Sequence, residues 1–236
     1  MELPGLVVIL REAGPEGVIY YVLEADPDLA RKGVRNPSVW DAPFPYELAC
    51  EAIEFRSLAA LRGDFPHLYV LTNDTPDDAL VDTHLDVKGG LIDTAFMERF
   101  RHLTVHVEYN RHRKVFDSGP GVHSRLFDIG REDITYRWKI YLNEVMLPIS
   151  YIFLYASRLV SLETLADTME GSHSREEFDS KVLDLVDVIA YVYEDPHIYL
   201  FTKNRNVISL IDGRLPQDFS WKSRRGSTLK RPAREL

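Results

Sequence analysis

Four side chains have the types and spacing to bind a metal ion. His84 and Asp86 stand two apart in the stretch VDTHLDVKGG, and His106 and Glu108 stand two apart in LTVHVEY. Imidazole and carboxylate donors in that mixture suit zinc or manganese. In an extended strand His106 and Glu108 project to the same side. A two-residue spacing is easily met by chance, however. The favoured reading is a solvated loop over Asp82–Asp86 and a wet strand face at His106 and Glu108. No metal or other cofactor is therefore expected. A metal-dependent hydrolase or nuclease built on His84, Asp86, His106 and Glu108 is the alternative.

Thr83, His84, Asp86, Gly89 and Gly90 resemble, over eight residues, the metal-binding stretch of the metallo-β-lactamase family. The second and third histidines of that pattern are missing, so no membership follows. Other catalytic patterns are absent. There is no G-x-G-x-x-G, no G-x-x-x-x-G-K-[ST] and no G-x-S-x-G. WKIYLNE and VEYNRHRK supply carboxylates and lysines, but not at nuclease spacing. Cys50, the one cysteine, lies inside a predicted amphipathic helix and reads as a small buried hydrophobe. It forms no intrachain disulfide, which fits a reducing compartment.

Charge is the stronger signal. The chain of 236 residues carries a net −9. From Gly213 onward seven basic residues (Arg214, Lys222, Arg224, Arg225, Lys230, Arg231, Arg234) face two acidic ones (Asp218, Glu235), a surplus of +5. Residues 1–212 therefore hold −14, the −9 less the +5. An acidic body repels phosphates, so nucleic-acid contact is confined to the basic tail, with Arg113 and Lys114 of NRHRK assisting. The tail has no helical or strand period, yet it holds Phe219 and Trp221, unusual in an idle cationic end. Docking on a neighbouring subunit's acidic body would use Phe219 and Trp221 as anchors and Arg224, Arg225, Lys230 and Arg231 at the rim; a flexible cationic end is the alternative.

The elements that must position these residues follow from apolar periodicity. GLVVILRE and GVIYYVLEA flank the turn residues AGPEG and predict an N-terminal β-hairpin. YELACEAIEFRSLAALRG predicts a helix after Pro45 that ends at Gly63. HLYVLTN, LTVHVEY and VHSRLFDIG predict strands, the second with Leu103, Val105, Val107 and Tyr109 on its apolar side. DTPDDALVDTHLDVKGG is a polar stretch, and LIDTAFMERFRH a short helix. NRHRKVFDSGPG is a basic loop or hairpin arm.

Ile134, Trp138, Tyr141, Leu142 and Val145 fall at helical spacing up to Pro148. A second helix is expected from about Ser150 to Met169, and a third behind the capping box of Ser174 and Glu177, with Phe178, Val182, Leu185, Ile189 and Val192 on one face. HIYLFT and VISLI around KNRN predict a C-terminal β-hairpin. Tyr191, Tyr193, His197 and Tyr199 read as core packing rather than a stacking platform.

These elements predict an α+β fold. N-terminal and C-terminal hairpins would contribute to a mostly antiparallel sheet, packed against a helical hairpin or bundle over about 132–193. Residues 1–212 would form one domain, with a second reading that divides it near residue 130, and 213–236 a basic tail. The apolar stretch 145–162 is interrupted by Pro148 and Arg158 and is too short for a membrane span. The N-terminus lacks a signal-peptide pattern. A cytoplasmic location, or one within an assembled particle, is expected.

The function expected is a non-enzymatic structural or interaction protein. It would form a homo-oligomer or larger assembly through its tail, a phage virion or tail component being one example. A metal-dependent hydrolase or nuclease and a nucleic-acid-binding module are the alternatives.

Overall fold

A computed structural model of the chain describes residues 5–32, 50, 53, 57–58, 60–73, 100–110, 115–118, 124–130, 151–192, 197–213, 215, 221–222 and 228–229. Two β-branched runs begin it. β1 (Leu6–Ala13) and β2 (Ile19–Ala25) pair antiparallel across a 3-10 turn at Pro15–Gly17, closed by the Gly14 N–H donating to the Val18 carbonyl at 2.8 Å. Glu16 takes a left-handed conformation there, φ 53°, beside Gly17. This is the expected N-terminal hairpin. α1 (Pro27–Arg31) follows, with the Asp26 carboxylate accepting from the N–H groups of Asp28 and Leu29. Helical backbone at Cys50, Ile53, Ser57, Leu58, Ala60 and Leu61 gives way to a turn at Gly63, as expected.

β3 (His67–Asn73) and β7 (Ser124–Gly130) agree with their predicted strands, while β4 (Arg101–Val105) starts earlier than expected and takes in Arg101 and His102, the end of the expected short helix. The strand expected over 103–109 bends at His106, however. β5 (Val107–Asn110) leaves the main sheet and pairs antiparallel with β6 (Val115–Ser118), Asn110 opposite Val115. Residues 111–114 of the basic arm lie outside the described residues.

Three helix or hairpin expectations are corrected. Residues 151–156, expected in a helix from Ser150 to Met169, form β8 (Tyr151–Ala156); only Leu162–Glu170 is helical (α2). The helix expected through Ile189 and Val192 stops earlier, at α3 (Arg175–Val182), and Val188–Val192 is a strand, β9. One cause explains both. β8 and β9 lie side by side within the sheet with helices over both faces, so Ile152–Ala156 and Val188–Tyr191 are buried on every side. A strand buried on both faces loses its polar alternation, and a continuous apolar run satisfies a helical template equally well. The third correction is the C-terminal hairpin. β10 (His197–Thr202) is a strand, but VISLI belongs to a helix, α4 (Arg205–Asp212). Asn204 does not turn a hairpin. It caps α4, accepting from Asn206 and Val207 N–H, with an ordinary φ of −71°. The expected helix over 132–145 lies outside the described residues.

The eight strands run in the order β1-β2-β10-β9-β8-β3-β7-β4, each neighbouring pair antiparallel. The sheet draws strands from both sides of residue 130, with β3 paired to β8. One face packs under α4 and the 57–61 helical turn through Tyr21, Leu68, Phe153, Leu58, Val207 and Ile211. The other packs under α2 and α3 through Tyr69, Leu154, Ile189, Leu165, Met169 and Phe178. The fold is α+β, with one antiparallel sheet between helical layers. In the tail, β11 (Trp221–Lys222) pairs antiparallel with β12 (Thr228–Leu229).

Candidate functional site

A buried polar group lies where the tail begins. Arg11 in β1 is directly opposite Tyr21 in β2, so their side chains share one sheet face. α4 docks on that face through Val207 and Ile211, and this delivers its last residue, Asp212, to the same spot. The Arg11 Nε donates to the Tyr21 hydroxyl at 3.2 Å. The Tyr21 hydroxyl donates to Asp212 Oδ1 at 2.8 Å, and the Arg11 Nε stands 2.8 Å from the same oxygen. The guanidinium also lies 5.6 Å from the centre of the Tyr21 ring.

Arg11 is 5% exposed and Tyr21 fully buried, so the ion pair is largely removed from water. A buried arginine is tolerated only when its charge is matched and its donors are used, and Asp212 supplies that match. Burial pushes the Tyr21 hydroxyl well above the ordinary tyrosine range; hydrogen bonding to Arg11 opposes the shift and Asp212 adds to it. Tyr21 therefore acts as a neutral donor joining strand to helix. Three residues further on, Leu215 is buried, and its N–H donates to the Asp212 carbonyl at 3.2 Å. The tail thus leaves the body pinned, and β11 then lies against β1.

A second polar node closes one end of the sheet. Lys203 Nζ donates to the Ser180 carbonyl (2.9 Å), the Ser180 hydroxyl (3.1 Å) and Asp184 Oδ1 (2.6 Å). The Ser180 hydroxyl in turn donates to Glu16. A serine and lysine in contact suggest a nucleophile and its base, but here the lysine gives its protons to three acceptors and offers Ser180 no lone pair. Asp187 ties the same region, accepting from the Ser157 N–H (2.6 Å) and from Asn204 Nδ2 (2.7 Å). The node joins the β1–β2 turn, α3 and the start of α4.

The residues singled out from sequence are not brought together among the described residues. His106 sits exposed at the β4–β5 bend, where its backbone N–H donates to Glu170 Oε1 at 2.8 Å. The bend interrupts the continuous strand on which a shared side for His106 and Glu108 depended. Glu108 lies in β5 opposite Asp117. His84 and Asp86 lie outside the described residues, as do Arg113, Lys114 and Tyr193. Among the described residues no three His, Cys, Asp or Glu side chains are grouped to hold a metal ion. In the tail, Trp221 is placed in β11, while Phe219, Arg224, Arg225, Lys230 and Arg231 lie outside the described residues.

Tyr191 is core, its hydroxyl donating to Asp179 and its ring 5.0 Å from the Arg175 guanidinium. His197 and Tyr199 are half-buried on β10. Cys50 is buried, in a small cluster with Ala25, Ala30 and Ile53. No described helix is long and apolar enough to cross a membrane.

Sequence reasoning missed Arg11, Tyr21 and Asp212. Tyr21 and Asp212 are 191 positions apart, and no local motif links them. The one available signal was an arginine at the end of the apolar run LVVIL, which demands a partner if it is buried. No family model, no curated protein and no solved structure matches the chain.

Proposed function

We propose that this chain is a non-enzymatic assembly or interaction protein that joins a partner, or further copies of itself, through its basic C-terminal tail. The observation that carries this reading is the seating of β11 against β1, directly after a buried tail root. A tail held at a defined place can present its charges in a defined direction. Arg224 and Arg225 fall between the paired strands β11 and β12, and Lys230 and Arg231 directly after them. The complementary surface is an acidic one, and the −14 of residues 1–212 makes a second copy a suitable partner. A phage virion or tail is one kind of assembled particle in which such a joint would serve.

The test is the mass of the full chain in solution, by light scattering after size exclusion, with elemental analysis of the same peak. It is compared with a variant carrying Arg224→Gln, Arg225→Gln, Lys230→Gln and Arg231→Gln. That variant keeps Trp221 and the strand residues, so the seat on β1 is untouched. An oligomer that becomes monomeric in the variant supports the reading. A monomer with stoichiometric zinc or manganese would overturn it in favour of a metal-dependent enzyme. A monomer that binds nucleic acid with a steep salt dependence would overturn it in favour of a nucleic-acid module.

A further inference from the structure

We infer that the outer edge of β1 is the seat of the chain's own C-terminal strands, and that Arg11 and Asp212 are the positioning residues that deliver them there. This deepens the reading above and rests on it only for what the seated segment goes on to bind. Among the described strands, β1 pairs with β2 alone. A strand edge presents unpaired N–H and C=O groups and needs covering or blunting. β1 is blunted by a bulge at Ile9, where the register slips between Val8 and Leu10. Ile9 is also 43% exposed, one of three large apolar side chains in that state among the described residues, with Leu29 and Leu159.

β11 lies against this strand, but its ladder partner is β12. Two strands of two residues cannot hold themselves together in water, so their order must come from the surface they lie on. What keeps them there is the root. Asp212 is clasped by Arg11, itself a β1 residue, and by Tyr21, and Leu215 is buried just beyond. The tail is thereby tethered to the strand it covers, which raises its effective concentration at that edge. Release of the clasp would leave the tail attached to the chain but free to search a larger volume, and occupancy of the seat would fall.

Limited trypsin digestion tests this at a protein concentration where light scattering reports monomer. Cleavage after Lys222, Arg224 and Arg225 is followed by mass spectrometry, with a synthetic peptide of residues 213–236 as the reference. In the intact chain the tail is expected to be cut about tenfold more slowly than the peptide. Two variants probe the root. Asp212→Asn removes the charge from the clasp. Insertion of Gly-Ser-Gly-Ser after Leu215 separates the root from β11 without touching the core. Both are expected to speed tail cleavage by about tenfold while the far-ultraviolet circular dichroism of the body is unchanged.

A wild-type tail cut as fast as the peptide would overturn the seat. Tail cleavage unchanged in both variants would overturn the positioning role and leave Arg11 and Asp212 as ordinary structural residues. The two readings fail separately. A protected tail on a chain that stays monomeric at every concentration sinks the assembly proposal and keeps this one; an oligomer with an unprotected tail does the reverse.

Discussion

The Tyr21 hydroxyl donates to Asp212 Oδ1 at 2.8 Å, joining β2 to the last residue of α4. Arg11 completes the group at 2.8 Å from the same oxygen. Asp212→Ala would take the Asp212 carboxylate away from the buried Arg11 charge. Loss of one member of a buried pair costs about 3–5 kcal/mol; with the Asp212 side chain 21% exposed, about 2–3 kcal/mol is expected. Tyr21→Phe keeps the ring and removes only the hydroxyl, and should cost about 1–2 kcal/mol. Urea unfolding of both variants checks the order, and a larger loss for Tyr21→Phe would contradict this account of the clasp.

Alkaline pH should unfold the protein through its tyrosines. Burial pushes the Tyr155 hydroxyl far above its ordinary value of 10.0, and burial also raises Tyr21 and Tyr69. In the unfolded chain these groups release protons near the ordinary value, while in the folded chain they keep them. The unfolded state then binds fewer protons, so stability is complete below about pH 10 and falls as pH rises beyond it. Ultraviolet titration should show the buried tyrosines ionising together with loss of circular dichroism. Smooth ionisation of every tyrosine with the fold intact would contradict the burial.

Asn204 separates two local structures. As the cap of α4 it accepts from Asn206 N–H at 2.9 Å, and its side-chain amide donates to Asp187 at 2.7 Å. Asn204→Ala removes both and should lower stability by about 1–2 kcal/mol. Asn204→Gly should cost a similar amount, since glycine restores neither the Asp187 bond nor the side-chain cap. In a hairpin turn that substitution would be harmless, so thermal denaturation of the two variants distinguishes the helix from the hairpin that VISLI suggests.

Association through the basic tail should weaken with salt. At about 0.15 M ionic strength exposed charges are screened beyond about 8 Å, and at 1 M beyond about 3 Å. Light scattering of the full chain across that range should show the oligomer dissociating as salt rises. An oligomer indifferent to salt would point to an apolar joint and away from Arg224, Arg225, Lys230 and Arg231.

Much of the fold was legible from local pattern, and the exceptions share a cause. β1, β2, β3 and β7 were readable because turn residues or polar alternation marked their limits, and α3 because Ser174 caps it, accepting from the Glu177 N–H at 3.1 Å. β8 and β9 were misread because YIFLYA and VIAYV carry no alternation to reveal a strand. The candidate site was half legible. The charge of the tail and the presence of Trp221 are properties of composition. The place where the tail is seated is not.

The sequence by itself determined the charge division, the antiparallel character of the N-terminal hairpin, and the capped start of α3, because each depends on neighbours along the chain. Only the tertiary structure decided that VISLI is a helix, that 151–156 and 188–192 are central strands, and that Arg11 meets Asp212. Those outcomes depend on which faces are covered and on which residues, far apart in the chain, share a low-dielectric site. Burial on both sides erases the periodicity from which a strand is recognised, and a buried charge names its need for a partner without naming the partner.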